Sequence, residues 1–132
     1  MSQIQRSEIR LADLSPPLSH YTDAVRFENL LFISGIAPLD AQGRLVGGDD
    51  AAAQTRHILQ CMQRLLNAAG ADFSHVLRVT VYLTDVRDRE VINPVRKEFF
   101  GETRPASTLI GVKELALPGM KVEIEAVAGL PG

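Results

Sequence analysis

The chain has 132 residues, 45% of them hydrophobic and 23% charged, with a net charge of −2 at neutral pH. That is the size of one domain with one core, and too little chain for two ordinary domains. The balance lacks the basic excess that nucleic-acid and membrane-surface partners favour, the longest apolar run (Leu30 to Ile33) is far too short for a bilayer span, and a single cysteine, Cys61, excludes an intrachain disulfide.

The first residues, Met1 to Arg6, are polar and carry no signal-peptide core, and the lone cysteine fits a reducing cytoplasm, the expected location. The Pro-rich patch Ser15-Pro16-Pro17-Leu18-Ser19 fixes an extended backbone and closes an N-terminal arm, residues 1–16. Tyr21 to Phe27 and Leu30 to Ala37 read as strands joined by a tight turn at Glu28-Asn29. Asp40-Ala41-Gln42-Gly43 is a second turn, and either Asp49 or Asp50 can cap a helix start. From Ala51 to Ala69 the residues Ile58, Cys61, Met62, Leu65, Leu66 and Ala69 recur at helical spacing, and Gly70 suits the left-handed position that ends a helix.

Val76 to Thr84 alternates as a strand, with Leu77, Val79, Val81 and Leu83 on one side and Arg78, Thr80, Tyr82 and Thr84 on the other. Asp85 to Phe100 reads as a second helix with a stripe of Val91, Val95 and Phe99. Proline disrupts a helix interior, so Pro94 places the regular start near Asn93. Thr108 to Val112 and Lys121 to Val127 complete the order β-β-α-β-α-β-β in a single domain. The expectation is an α+β fold in which two helices cover one face of a mixed sheet. The other face, with Thr80, Tyr82, Glu123 and Glu125, is left for water, a partner subunit or a site.

Few constellations carry chemistry. Glu123 and Glu125 stand two apart on one strand, hence on one face and about 7 Å apart. They are a candidate for positioning water or taking a proton, or simply a solvated face. His20, His57 and His75 have no metal-ligand spacing, so no metal is expected. His57 and His75 read as surface residues, while His20 sits at a loop–strand junction where binding groups collect. Cys61 lies on the apolar stripe of the first helix and reads as core. Ser34-Gly35 lacks the nucleophile-elbow frame, and its glycine marks a bulge or a close backbone approach. Arg104, in Arg104-Pro105-Ala106-Ser107-Thr108, can clamp a carboxylate or sit as a surface charge.

Several segments, in order, carry a resemblance. They are Tyr21-Thr22-Asp23-Ala24-Val25, Leu31-Phe32-Ile33-Ser34-Gly35, Gln54-Thr55-Arg56, Ala68-Ala69-Gly70-Ala71 and Val79-Thr80-Val81-Tyr82-Leu83-Thr84-Asp85. Asn93 before Glu98-Phe99-Phe100-Gly101, Pro105-Ala106, and Val122-Glu123-Ile124-Glu125-Ala126-Val127-Ala128 follow. From about Pro17 to Ala128 the chain resembles the Rid (YjgF/YER057c/UK114) family. The resemblance implies a chorismate-mutase-like α+β fold and a homotrimer with small-molecule clefts between subunits. It also implies cofactor-free hydrolysis of reactive imines and enamines. By position, Tyr21 and Asn93 match cleft residues of the family, and Glu123 matches its water-positioning glutamate.

One residue departs from the pattern. The family's deaminases read Pro-Ala-Arg, and here Ser107 stands where the carboxylate-binding arginine is expected. A hydroxyl cannot rebuild a bidentate charge-assisted pair. Arg104 and Arg96 are the candidate stand-ins, and His20, Tyr21, Ser107, Thr108 and Glu123 are the expected polar lining. Two readings follow: a divergent hydrolase acting on a small imine or enamine metabolite, with His20 a candidate proton carrier, or a non-catalytic protein binding a small metabolite in the same cleft. Neither needs a cofactor. A ribonuclease reading has little support from a −2 charge and two tyrosines.

Overall fold

The computed structural model describes residues 6–132. The first five residues of the expected N-terminal arm therefore lie outside the described residues. In chain order the elements are β1 (Arg6–Ile9), β2 (Ala24–Phe27), β3 (Leu30–Ile36), α1 (Ala51–Ala68), β4 (Val76–Leu83), α2 (Arg89–Phe100), β5 (Ala106–Gly111) and β6 (Val122–Gly129). Short 3₁₀ turns at Phe73–His75 and Val86–Asp88 lead into β4 and α2. The strands form one sheet in the order β1-β2-β3-β6-β4-β5. Only β4 and β5, joined through α2, run parallel; the other neighbours are antiparallel. A parallel neighbour needs a crossover, and α2 supplies it.

Both helices pack on one sheet face. Leu31 and Ile33 of β3, Val79, Val81 and Leu83 of β4, and Val122, Ile124 and Ala126 of β6 point into the core. They meet Ile58, Leu59, Met62, Leu65 and Leu66 of α1 and Ile92 and Val95 of α2. Phe73 packs edge-on against Phe100, with ring centroids 5.0 Å apart, and closes one end of this layer. Helix α1 starts where Asp50, rather than Asp49, accepts hydrogen bonds from the Ala52 and Ala53 backbone N–H groups. It ends ahead of Gly70 at φ +77°, as its spacing anticipates.

Four expectations need correction. The N-terminal arm contains a strand, β1, paired with β2. Its residues Arg6-Ser7-Glu8-Ile9 are mostly exposed, so no alternation betrays it. The first expected strand begins only at Ala24; over Tyr21 to Asp23 the ladder shrinks to the Asp23 carbonyl accepting the Ser34 N–H, and side chains add further ties to neighbouring segments. Ser34 Oγ donates to the Thr22 carbonyl, and the Asp23 carboxylate takes the Leu11 N–H and the Arg10 guanidinium. In β4 the register shifts between Val76 and Arg78, which buries Val76 and turns Leu77 out to 53% exposure. A bulge resets the alternation of everything before it.

Helix α2 also departs from its spacing. It begins at Arg89, four residues before the expected start, with Pro94 inside it. The proline removes the N–H that would bond the Glu90 carbonyl, and both residues are exposed, so water can take that carbonyl. The buried stripe is Ile92, Val95 and Phe100, whereas Val91 is 48% exposed.

The β2–β3 turn does fall at Glu28-Asn29, and Glu28 takes φ +54° there. A side chain in that region is strained by about 1 kcal/mol or more. Glu28→Gly relieves it, partly offset by the extra freedom glycine gives the unfolded chain. A gain of about 0.5–1 kcal/mol is expected, read as a rise of a few degrees in Tm. An unchanged or lower Tm would show that the strain at Glu28 does not exceed the cost of glycine's added freedom in the unfolded chain.

Candidate active site

Alternation along β6 sends Val122, Ile124 and Ala126 into the core and leaves Glu123 and Glu125 half-buried on the open sheet face. Tyr82 of β4 lies opposite Glu123, and Thr80 opposite Glu125. The Tyr82 hydroxyl donates to Glu125 Oε1 at 2.9 Å. That bond, helped by burial, pushes the Tyr82 pKa up. Glu123 receives no such bond from the described residues. Burial raises its pKa above the usual carboxylate range, and the neighbouring Glu125 charge raises it further.

On the other flank of β6 the β3 register breaks between Ile33 and Ile36. Gly35 sits in this irregularity, and a Cβ there would collide with the Glu123 carboxylate. The glycine is thus both things its sequence context indicates, a bulge residue and a place of close approach. The gap opens into a cleft of about 360 Å³ whose polar lining includes Tyr21, Ser34 and Glu123, with Leu14, Cys61 and Leu65 among its apolar walls. The Tyr21 hydroxyl accepts the Leu18 N–H at 3.0 Å, which folds the Pro-rich loop over this cleft.

The remaining candidates stand elsewhere. Asn93, Arg104 and Ser107 line a second, wider cleft of about 830 Å³ between α2 and the start of β5, together with Arg96. Ser107 pairs with Val79 and so points to the helix side, where its Oγ accepts from Arg96 Nη2 at 3.0 Å. Thr108, one residue on, pairs with Thr80 on the open face, where its Oγ1 accepts from Arg78 Nη2. His20 is exposed beside Tyr21 and lines neither cleft. Within one protomer, then, Tyr21 and Glu123 share one cleft, and Asn93, Arg104 and Ser107 share another.

Cys61 is buried, as its place on the stripe implies. Its Sγ is 3.6 Å from His57 Nε2, and His57 is half-buried rather than on the surface. That nitrogen also lies 2.7 Å from the Leu39 carbonyl. A carbonyl only accepts, so Nε2 carries the hydrogen and cannot take the thiol proton. Burial pushes the Cys61 thiol pKa up as well. The pair is not an activated nucleophile. Among the described residues no group of three His, Cys, Asp or Glu side chains is placed to hold a metal ion, and no helix is long and apolar enough to cross a membrane.

The family model described as Endoribonuclease L-PSP matches residues 13–130. The 3-aminoacrylate deaminase RutC of Acinetobacter baylyi is 40% identical over 113 residues, covering 86% of this chain and 89% of that protein. The human 2-iminobutanoate/2-iminopropanoate deaminase is 36% identical over 130 residues, 97% of this chain and 93% of the relative. Among solved structures, a Mycobacterium tuberculosis member of the YjgF/YER057c/UK114 family superposes with a TM-score of 0.78 at 31% identity, covering 96% of this chain and 100% of the other.

Proposed function

Since the chain belongs to the Endoribonuclease L-PSP family, which is the Rid or YjgF/YER057c/UK114 family, we propose that it hydrolyses a small imine or enamine metabolite, with Glu123 handling the water. The observation that carries this reading is the Glu123 carboxylate. It is half-buried, has a raised pKa, and faces a cleft across the gap left by Gly35. A base works best with a pKa near the working pH, and burial moves Glu123 in that direction.

The chemistry balances without a cofactor. Ionised Glu123 takes a proton from a water whose oxygen attacks the imine carbon. The C=N π pair becomes the nitrogen lone pair, and protonated Glu123 passes its proton to that nitrogen, which gives a carbinolamine and an ionised Glu123 once more. Glu123 then takes the carbinolamine hydroxyl proton and hands it to the amine as the C–N bond breaks, leaving a carbonyl compound and ammonia. Tyr21 would hold the substrate beside Glu123. The cleft with Asn93 and Ser107 would complete the site from a neighbouring protomer of a homotrimer, because the two half-sites of one protomer are separate.

The substrate class is supported by the names of two relatives, an aminoacrylate deaminase and an iminobutanoate/iminopropanoate deaminase. A nuclease reading gains nothing from the chain's −2 charge.

The deciding experiment is ammonia release from imines generated in situ from a panel of amino acids. Acceleration over the buffer rate is expected for at least one of them. No acceleration with any imine, together with saturable binding of a 2-oxo acid, would replace the hydrolase with the non-catalytic binding protein. A trimer is expected from light scattering, and a monomer would remove the composite cleft.

A further inference from the structure

The second cleft contains a guanidinium with little to do. Arg96 is half-buried on α2, and its burial lowers its pKa, which marks a charge held away from water. Of its five N–H donors, the described side chains use one, toward Ser107 Oγ at 3.0 Å. None of the ion pairs among the described residues includes it. The charged groups around the same cleft are Lys97 from the same helix, and Glu102 and Arg104 from the turn into β5. Three cations thus face one acid. A half-buried unpaired charge costs the fold free energy, whereas most arginines of this chain that pair do so on the surface, as Arg56 does with Glu98 and Arg87 with Asp85.

We infer that Arg96, oriented by the Ser107 hydroxyl, is the group that binds a carboxylate of the substrate or product. The hydroxyl fixes one Nη2 hydrogen and leaves the rest of the planar fork free, the geometry that suits a bidentate carboxylate. The role falls to a helix residue because Ser107 itself is too short and uncharged to hold an anion alone. Arg104, in the same cleft, is exposed, and no hydrogen bond to it is seen among the described residues. The inference rests on the hydrolase reading only for the kind of carboxylate: the product of hydrolysing a 2-imino acid is a 2-oxo acid.

The test is titration calorimetry of 2-oxobutanoate into the full chain, with its methyl ester and inorganic phosphate as controls. Wild type is expected to bind the acid and to bind the ester far more weakly. Losing charged hydrogen bonds weakens binding about 10- to 100-fold, which is the loss expected for Arg96→Gln. Arg96→Lys keeps the charge without the fork and should fall between. Ser107→Ala should cost a few-fold.

Three results would overturn the inference: no binding by wild type, undiminished binding by Arg96→Gln, or binding of phosphate in preference to the acid. Circular dichroism and Tm check that each variant folds, and Arg96→Lys and Ser107→Ala serve if Arg96→Gln does not. The two readings fail separately. Arg96-dependent binding with no imine turned over sinks the hydrolase alone. Turnover with an Arg96→Gln KM equal to wild type sinks the carboxylate site alone.

Discussion

Glu123→Gln is expected to lower ammonia release about 10²- to 10⁴-fold, the range for removal of a general base, while raising Tm at neutral and alkaline pH. The two effects share one cause. The Glu123 carboxyl is half-buried next to Glu125, and both features disfavour its ionised form. Its folded pKa therefore lies above its unfolded one. Ionisation then costs the folded state more than the unfolded chain, so this penalty is present at pH values above the folded pKa. It is relieved as pH falls through that value and is gone below the unfolded pKa. Glutamine has nearly the same shape and no charge, so the variant escapes the penalty. Its Tm advantage should be largest near pH 8 and vanish near pH 4. A site that needs a buried carboxylate gives up stability for activity. An equal Tm at pH 8, or a variant that retains full turnover, would remove Glu123 from this role.

The same carboxylate shows how far a sequence can be read. That Glu123 and Glu125 face away from the core follows from period-2 alternation alone, and β6 obeys it residue by residue. Helix α1 is equally legible, because its apolar stripe, the Asp50 cap and Gly70 agree. The failures have local causes. A polar edge strand such as β1 has no buried face to leave a pattern. A bulge at Leu77 shifts the phase of β4, and an exposed proline is tolerated in α2 where spacing rules would end the helix.

Within the site, alternation also places Ser107 and Thr108 on opposite faces, a consequence that position in a shared motif obscures. No spacing rule joins Arg96 to Ser107. Their contact depends on how α2 lies across the edge of the sheet, and only the folded chain shows it. What gathered Tyr21, Asn93 and Glu123 into one list was family resemblance.

Gln54→Ala should cause the largest loss of stability of any variant considered, roughly 3 kcal/mol or more, from unmet hydrogen bonds and a cavity together. Gln54 is fully buried at the start of α1. Its amide nitrogen donates to the Gly48 carbonyl at 2.8 Å and to the Gly119 carbonyl at 2.9 Å, and its Oε1 accepts the Lys121 N–H at 2.8 Å. One side chain thus satisfies backbone groups from two loops that have no ladder partners for them. Alanine would strand those groups in a site sized for a larger side chain. Gln54→Met, close in volume and without the bonds, should recover only the cavity part of the loss. Gln54→Glu still accepts from Lys121 but sets a carboxylate against two carbonyl oxygens, so it should be no better than methionine. In urea the midpoint should fall at constant m if the folded state is otherwise unchanged. A loss below about 1 kcal/mol would mean that water replaces the amide without penalty. The clamp also anchors Lys121, two residues before Glu123 on the way into β6. Loosening it should therefore reduce turnover along with stability, the reverse of the pairing expected when Glu123 itself is neutralised.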